Sequence, residues 1–123
     1  MGLRFVETFR DIEFYKTENG RSPVLDFIES KTRRDERAKI MCVFENVEQM
    51  KVVPVNFLKK LQGPEKLWEI RVQRFRFLGF YADSRCLVLV CGFVKQTQKT
   101  PLQAIDVAVK RKRMYLYGRE LDL

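Results

Sequence analysis

The chain has 123 residues, of which 46% are hydrophobic, including ten Phe, four Tyr and one Trp. This apolar content is enough for the core of one domain and excludes a disordered polymer. The net charge is +8: residues 1–50 carry nine Lys or Arg against ten Asp or Glu, residues 51–100 carry ten against three, and the remainder five against three. A basic second half suits a polyanionic partner, although a solvated Lys/Arg surface would have the same composition.

The cysteines and the lack of histidine argue against a metal site. Cys42, Cys86 and Cys91 show no C-x₂-C spacing and the chain has no His, so a zinc site is not expected. Strand parity is expected to point Cys86 and Cys91 to opposite faces, which leaves free thiols of the kind found in a reducing cytoplasm. Residues 1–10 lack the apolar run of a secretory signal, and no stretch approaches the roughly 20 apolar residues that span a bilayer. A cytoplasmic protein with no membrane partner is therefore expected.

Hydrophobic periodicity predicts one strand and then two helices in the first half of the chain. Residues 3–16 have the composition of a strand. Ser22-Pro23 has the residue types of an N-cap and first helical position, and predicts a short helix to about Lys31. A second helix is predicted from about Arg34 to Met50, on an apolar stripe at helical spacing: Ile40, Val43, Phe44, Val47 and Met50. The two helices should form a hairpin with one apolar side.

The second half changes from a helical period to a period of two. A short helical turn is predicted over Phe57–Leu61. Three strands follow, with hairpin turns between them: Leu67–Val72, Phe75–Tyr81 and Cys86–Val94. The last of these is apolar on both faces, which is typical of a central strand. Gly79 and Gly92 inside strands predict a bulge or a close backbone approach.

The final helix has the clearest start signal. Thr100-Pro101-Leu102-Gln103 has the sequence of a capping box, and Leu102, Ile105 and Val109 form the predicted buried stripe. The element order is then β-α-α-β-β-β-α. This order predicts a single α+β domain over residues 1–123, with a mostly antiparallel sheet of about four strands and the helical hairpin on one face.

Several cations are predicted to converge at one end of this sheet. Parity puts Glu69 and Arg71 on one face, and a tight hairpin would bring Arg71 near Arg76. Lys95 follows the third strand and Lys99 lies in the loop before the last helix. Because clustered cations repel one another unless an anion is present, the pattern indicates a phosphate site, which Arg is well shaped to bind. The alternative is that Arg71 pairs with Glu69 or a helix carboxylate while the lysines are solvated.

The most specific pattern is the string from Gly92 to Pro101, Gly-Phe-Val-Lys-Gln-Thr-Gln-Lys-Thr-Pro. It is preceded, in order, by Lys60-Leu61-Gln62-Gly63, Leu67-Trp68-Glu69-Ile70-Arg71 and Phe75-Arg76. The series resembles the HigB-like branch of the RelE toxin superfamily, including phage-encoded relatives, as does the opening segment around Phe14-Tyr15-Lys16. The chain departs from the family's Gly-Phe-Val-Lys-Lys pattern, because Gln96 stands where a second cation is expected, while Arg74 adds a cation in the strand hairpin.

The resemblance implies the toxin of a type II toxin–antitoxin pair, a ribosome-dependent endoribonuclease that cleaves mRNA without metal or cofactor. The ribose 2′-hydroxyl would attack the scissile phosphate. By motif position the catalytic residues are Arg71, Arg76, Lys95 and Lys99. Arg76 would clamp the phosphate, and Lys95 or Lys99 would stabilise charge or protonate the leaving oxygen. Glu69 is a candidate base, although neutralisation of a neighbouring Arg suits it better. On this basis, Arg76→Ala should abolish cleavage at little cost in stability.

The expected partners are mRNA, the ribosome and a helix-turn-helix antitoxin. Peripheral RNA contacts are predicted at five cations: Lys59, Lys60, Arg74, Lys110 and Arg113. Two other classes of function stay open. One is a non-catalytic RNA- or DNA-binding module that stacks bases on Phe75, Phe77 or Tyr81, although strand aromatics usually pack in a core. The other is a phage-derived protein-interaction domain.

Overall fold

The structure, a computed structural model, describes residues 9–121, and the side chains up to Gly118. Its elements in chain order are β1 (Asp11–Phe14), α1 (Pro23–Lys31), α2 (Arg34–Gln49), β2 (Leu58–Lys60), β3 (Trp68–Val72), β4 (Phe75–Tyr81), β5 (Cys86–Val94) and α3 (Leu102–Leu121). They form a five-stranded sheet in the order β1-β5-β4-β3-β2. The sheet is mixed, since β1 runs parallel to β5 and the other neighbours are antiparallel.

The α+β class is confirmed, but the sheet has one strand more than predicted. The segment predicted as a helical turn over Phe57–Leu61 contains β2, in which Leu58 pairs with Ile70 of β3. Leu58 is buried in the same core as Ile70, so pairing with an existing sheet decides a segment too short for periodicity to classify. The strand predicted over residues 3–16 is observed only as β1; residues 1–8 lie outside the described part of the chain.

The two N-terminal helices cover one face of the sheet as predicted. Ser22 caps α1, because its Oγ accepts a hydrogen bond from the Leu25 N–H at 3.2 Å. Four of the five stripe residues of α2 are buried: Ile40, Val43, Phe44 and Val47. Met50 follows the helix end and is exposed. The helices contribute to a core with the inward residues of β3, β4 and β5, chiefly Ile70, Val72, Phe75, Phe77, Leu87 and Leu89.

α3 covers the opposite face of the sheet, with a different stripe from the one predicted. The fully packed residues are Ala104 and Ala108, which let the helix approach the sheet closely. Ile105 and Val109 are partly buried, whereas Leu102 is 78% exposed at the start of the helix. Small residues rather than the larger aliphatic ones therefore define the contact face. Within residues 9–121, no helix is long and apolar enough to cross a membrane.

β5 carries one residue more than β4 over their shared length. Leu78 pairs with Cys91, but the next residue, Gly79, pairs with Leu89, so Val90 is the extra residue of a β-bulge. Gly79 is needed there, because a Cβ on it would lie 2.5 Å from the Val88 carbonyl oxygen. The prediction of a bulge or close approach at this glycine is confirmed.

The bulge shifts which residues of β5 face α3. Val88 and Val90 face α3 before the bulge, and Cys91 and Phe93 do so after it. Cys86 lies on this face too, so the expectation that Cys86 and Cys91 point apart is wrong. Simple alternation of side chains between the two faces fails, because the extra residue in β5 moves every later residue to the other face. The three cysteines are free thiols.

We predict that Gly79→Ala lowers the free energy of unfolding by about 1–3 kcal/mol, because the new methyl group overlaps backbone that cannot move without changing the bulge. Urea denaturation measures the loss. The matched control is Gly118→Ala in α3, whose Cβ would meet no atom within 4 Å; it should gain about 0.5–1 kcal/mol from helix propensity. A Gly79→Ala variant that unfolds at the wild-type urea concentration would contradict the role of the bulge.

Candidate active site

A cleft of about 350 Å³ lies on the α3 side of the sheet, where β3, β4 and β5 meet the loop that precedes α3. Its lining includes all four cations that the sequence predicts as catalytic, Arg71, Arg76, Lys95 and Lys99. The other lining residues are Lys59, Leu61, Gln62, Glu69, Phe93, Thr97, Gln98, Thr100 and Ile105. The structure therefore brings the predicted cations to one concave surface.

Strand register explains why these residues meet. Arg71 and Arg76 are direct partners across the β3–β4 hairpin, so their side chains leave the sheet on the same face. Arg76 is in turn the partner of Phe93 on β5. Lys95 follows Phe93 by two residues, and its N–H donates to the Arg74 carbonyl at 2.7 Å, which continues the strand pairing to this point. Lys95 thus projects on the side of Arg76.

Glu69 is the buried carboxylate of the cleft, with 3% of its surface exposed. Its Oε1 accepts a hydrogen bond from Arg71 Nε at 3.1 Å and lies 3.8 Å from Arg76 Nε. Its Oε2 accepts from the Thr100 hydroxyl at 2.9 Å. Both carboxylate oxygens therefore have protein partners, and Glu69 connects two strands to the loop that carries Lys99.

The two arginines differ in what they offer to a ligand. Arg76 is 8% exposed, and its Nη1 donates to the carbonyls of Gln73 at 2.6 Å and Phe75 at 2.8 Å. Burial lowers the pKa of Arg76, Glu69 acts against this and Arg71 adds to it; an Arg nonetheless stays protonated. Arg71 has 28% of its side chain exposed and uses Nε for Glu69. Among the described contacts, both terminal nitrogens of Arg71 but only Nη2 of Arg76 are left for an anion.

The predicted capping box at Thr100 does not form. α3 begins at Leu102, and the Ile105 N–H donates to the Pro101 carbonyl at 3.1 Å, so Pro101 occupies the cap position. The Thr100 hydroxyl is directed to Glu69 instead. The capping box is absent because the helix starts one residue later than the pattern indicates, so Thr100 precedes the cap position and its hydroxyl donates to the buried carboxylate.

The residues predicted as peripheral RNA contacts are distributed over several surfaces. Lys59 lines the cleft, since it is the β2 partner of Glu69. Lys60 pairs with Trp68 and so leaves the strand on the other face. Lys110 and Arg113 are exposed on α3.

Arg74 is not part of the cleft. Its guanidinium bonds Glu36 of α2, with Nη2 to Oε2 at 3.0 Å and Nε to Oε2 at 3.3 Å, and it lies over the Phe75 ring. Glu36 is 6% exposed and also accepts from the Arg33 N–H at 2.9 Å. Arg74 thus forms an ion pair between the hairpin turn and α2; its side chain is 52% exposed, and its contact with RNA stays a prediction.

The aromatic residues considered for base stacking belong to the core. Phe75 and Phe77 are fully buried and meet Phe27 of α1 edge to face. Tyr81 packs against Trp68. Phe93 is the aromatic residue that does line the cleft, and it was not among the predicted site residues. Its position two residues before Lys95 could have identified it, because residues two apart lie on one face of a strand.

Comparison with known proteins gives one family. A family model described as "Phage derived protein Gp49-like (DUF891)" matches residues 30–113, about two thirds of the chain and all residues that line the cleft. No curated protein matches the chain. In the part of the chain that the structure describes, no group of three or more His, Cys, Asp or Glu side chains is placed to hold a metal ion.

We predict a pH-dependent contribution of Glu36 to stability. The Arg33 N–H hydrogen bond lowers the pKa of Glu36 below its ordinary 4.5, against the effect of burial, and the Arg74 hydrogen bond lowers it further. The stabilisation is therefore complete above pH 4.5 and is lost as the pH falls through the folded-state value. In urea titrations Glu36→Gln should be less stable than wild type at pH 7 and equal to it at low pH. Glu45→Gln, at an exposed position of α2, is the control; an equal deficit at both pH values would contradict the ion pair.

Proposed function

Because the chain belongs to the Gp49-like family of phage-derived proteins, we propose that it is the toxin of a type II toxin–antitoxin pair and cleaves mRNA on the ribosome without a metal ion. The family match is compatible with a toxin of this kind. The observation that carries the proposal is the cleft that gathers Arg71, Arg76, Lys95 and Lys99 around one carboxylate. The resemblance to HigB-like toxins in the segments that line this cleft supplies the reaction.

In the proposed reaction the 2′-hydroxyl oxygen of a ribose attacks the adjacent phosphorus, and the bond from phosphorus to the 5′ oxygen breaks. One proton leaves the 2′-hydroxyl and one is delivered to the 5′ oxygen. The products are a 2′,3′-cyclic phosphate and a 5′-hydroxyl. This chemistry requires fixed cations that stabilise the charge of the pentacovalent phosphate, and groups that carry protons. The cleft supplies both types of group.

From the hydrogen bonds we infer roles for the two arginines that differ from the sequence prediction. Arg71, with both terminal nitrogens available, is the better bidentate clamp for the scissile phosphate, and Arg76 reaches the phosphate with Nη2 alone. Glu69 fixes both guanidiniums, and because its oxygens are already engaged it is a poor proton acceptor. We therefore assign both proton transfers to the lysine side chains of the cleft: one lysine in its neutral form accepts the proton of the 2′-hydroxyl, and Lys95 or Lys99 in its charged form delivers a proton to the leaving 5′ oxygen.

These contacts change the stability that we expect for Arg76→Ala. The earlier expectation was that removing Arg76 relieves repulsion among cations. In the structure its loss would leave Glu69, which is 3% exposed, with one guanidinium fewer nearby, and would remove the hydrogen bonds that Arg76 donates to the Gln73 and Phe75 carbonyls. Arg76→Ala should therefore cost about 2–4 kcal/mol in stability. Arg71, which is more exposed, is the cleaner site at which to test catalysis.

The proposal includes two partners and a location. The ribosome presents the mRNA, and a helix-turn-helix antitoxin neutralises the toxin; both are inferred from the resemblance, as is the cytoplasmic location. A non-catalytic nucleic-acid-binding module would use the same positive surface, but two of the three aromatic residues considered for stacking, Phe75 and Phe77, are buried in the core. Cleavage assays with and without ribosomes separate the two functions.

We predict that Arg71→Ala lowers mRNA cleavage by about 10²–10³-fold, the usual cost of removing one donor to a transition-state oxyanion. The substitution also removes the hydrogen bond that Arg71 donates to buried Glu69, so a stability loss of about 1–3 kcal/mol is expected, and cleavage is measured at a temperature where the melting curve shows the variant folded. Primer extension on translated mRNA measures cleavage. Arg34→Ala, on the exposed start of α2, makes the same charge change away from the cleft and should cleave normally. Wild-type cleavage by Arg71→Ala would reject the clamp.

We also predict that ribosome binding weakens steeply between about 50 and 200 mM salt, because neutralising phosphates with Lys and Arg releases counterions. Replacing a phosphate-contacting lysine should reduce the slope of log K against log salt by about one. Lys110→Ala on α3 should show this reduction, and Lys39→Ala on α2 should not. Salt-independent binding would show that the basic surface is not the interface.

A further inference from the structure

The carbonyl of Val90, the extra residue of the β-bulge, is bound by a side chain of the helix that covers it. In the register of the described strands Val90 has no partner, because the pairing of β5 with β1 ends at Leu89 and its pairing with β4 skips Val90. The Val90 carbonyl oxygen accepts a hydrogen bond from Arg111 Nη1 at 2.7 Å. We infer that Arg111 is a positioning residue: it fixes the bulge, and through the bulge it fixes Phe93 and Lys95 in the cleft.

The bulge creates the need for this hydrogen bond. In a regular strand each carbonyl lies in the plane of the sheet and meets the N–H of a neighbouring strand. An extra residue disrupts that ladder. Because Val90 is fully buried, its carbonyl depends on a donor from the protein, and a buried carbonyl without a donor is costly. The Arg111 guanidinium supplies a donor from the α3 side, which stabilises the bulge at this position over arrangements in which the bulge moves or the ladder opens.

The sequence of α3 explains why an arginine reaches the sheet here. Arg111 follows Ala108 by three residues and Ala104 by seven, so all three lie on one face of the helix. The two alanines are buried and bring this face close to the sheet. Arg111 is partly buried, whereas Lys110 and Arg113 beside it in sequence are exposed. Arg111 therefore belongs to the contact face of α3.

A second observation places the Arg111 guanidinium at the residue that follows the bulge. Burial raises the pKa of the Cys91 thiol, and the positive charge of Arg111 acts in the opposite direction. Such an effect requires the charge to lie near the sulfur. Arg111 is thus beside both Val90 and Cys91, the residues at which the faces of β5 change. Phe93 and Lys95 follow Cys91 by two and four residues, so the orientation fixed at the bulge determines theirs.

Arg111 acts on the cleft from outside it. The described lining of the cleft does not include Arg111, which lines a separate groove with Tyr15 and Met114. The consequence for catalysis rests on the proposed function: a loosened bulge would hold Lys95 less firmly at the scissile phosphate. Misplacing a catalytic group by about 1 Å lowers the rate strongly, while substrate contacts elsewhere on the surface are kept. Loss of Arg111 should therefore lower kcat and leave KM nearly unchanged.

Amide hydrogen exchange of the full chain, followed by NMR, tests the fixing of the bulge independently of activity. Two amides report on the two ends of the β4–β5 hairpin. Beyond the bulge, the Lys95 N–H donates to the Arg74 carbonyl at 2.7 Å; before it, the Ala82 N–H donates to the Cys86 carbonyl at 2.9 Å. Arg111→Met, which keeps an unbranched apolar stem and removes the donors, should speed exchange at Lys95 about tenfold and leave Ala82 nearly unchanged. A general loss of stability would speed both amides alike.

Two further variants control this experiment. Lys112→Met removes the same charge from the next position of α3, where Nζ donates to the Glu65 carbonyl at 2.6 Å, and it should leave the ratio of the two exchange rates unchanged. Arg111→Lys keeps one charged donor and should recover part of the protection at Lys95. If Arg111→Met does not fold, Arg111→Lys decides the test, because Lys95 should still exchange faster than in wild type while Ala82 does not.

Cleavage of translated mRNA at varied ribosome concentration gives the second measurement. Arg111→Met should lower the maximal rate about tenfold at an unchanged half-saturating ribosome concentration, and Lys112→Met should keep the wild-type maximal rate. If Arg111→Met speeds exchange at both amides by the same factor, Arg111 only adds stability and the inference is rejected. If the half-saturating concentration rises at an unchanged maximal rate, Arg111 is an RNA contact and the inference is again rejected. If exchange shows the predicted asymmetry but wild type cleaves no mRNA, the positioning role stands and the proposed ribonuclease fails.

Discussion

A single extra residue in β5 decides which side chains reach the cleft. Before Val90 the residues of β5 with even numbers face α3, and after it those with odd numbers do. Without this bulge, Phe93 and Lys95 would point into the helical hairpin and Arg76 would lack both neighbours. The bulge requires Gly79 on the adjacent strand, where any Cβ would meet the Val88 carbonyl. Backbone geometry in the middle of the sheet thus determines the composition of a site near its end.

Glu69 offsets the repulsion among the cations that the bulge helps to bring together in the cleft. Gathering cations in a cleft costs free energy, and a buried arginine costs more. One carboxylate, paired with Arg71 and near Arg76, reduces both costs and still leaves terminal nitrogens for an anion. The same carboxylate binds Thr100 and so holds the loop that carries Lys99 against the sheet. Charge balance and loop position therefore depend on the same residue.

The elements predictable from sequence are those with a strong local signal. The bounds of α1, β4 and β5 agree with the prediction because caps, turn residues and alternation all mark them. β2 could not be predicted, since three residues have no period and only the pairing with β3 makes them a strand. The positions of Arg71 and Arg76 in the cleft could be predicted from strand parity and from the tight turn between β3 and β4. Phe93 could be found from its spacing to Lys95, whereas alternation counted from the start of β5 puts it on the wrong face because of the bulge.

The HigB-like pattern that the sequence resembles has a second cation where this chain has Gln96, and the structure puts a different residue in the cleft from the one that the sequence suggests. Arg74 was the obvious substitute for the missing cation, yet its guanidinium is committed to Glu36, outside the cleft. Lys59 lines the cleft instead, because β2 adds to the sheet edge with Lys59 opposite Glu69. A positive charge missing from one loop is thus supplied by a strand more than 30 residues earlier. Strand pairing decides which cations line the cleft. A motif in the linear sequence does not show which strands pair.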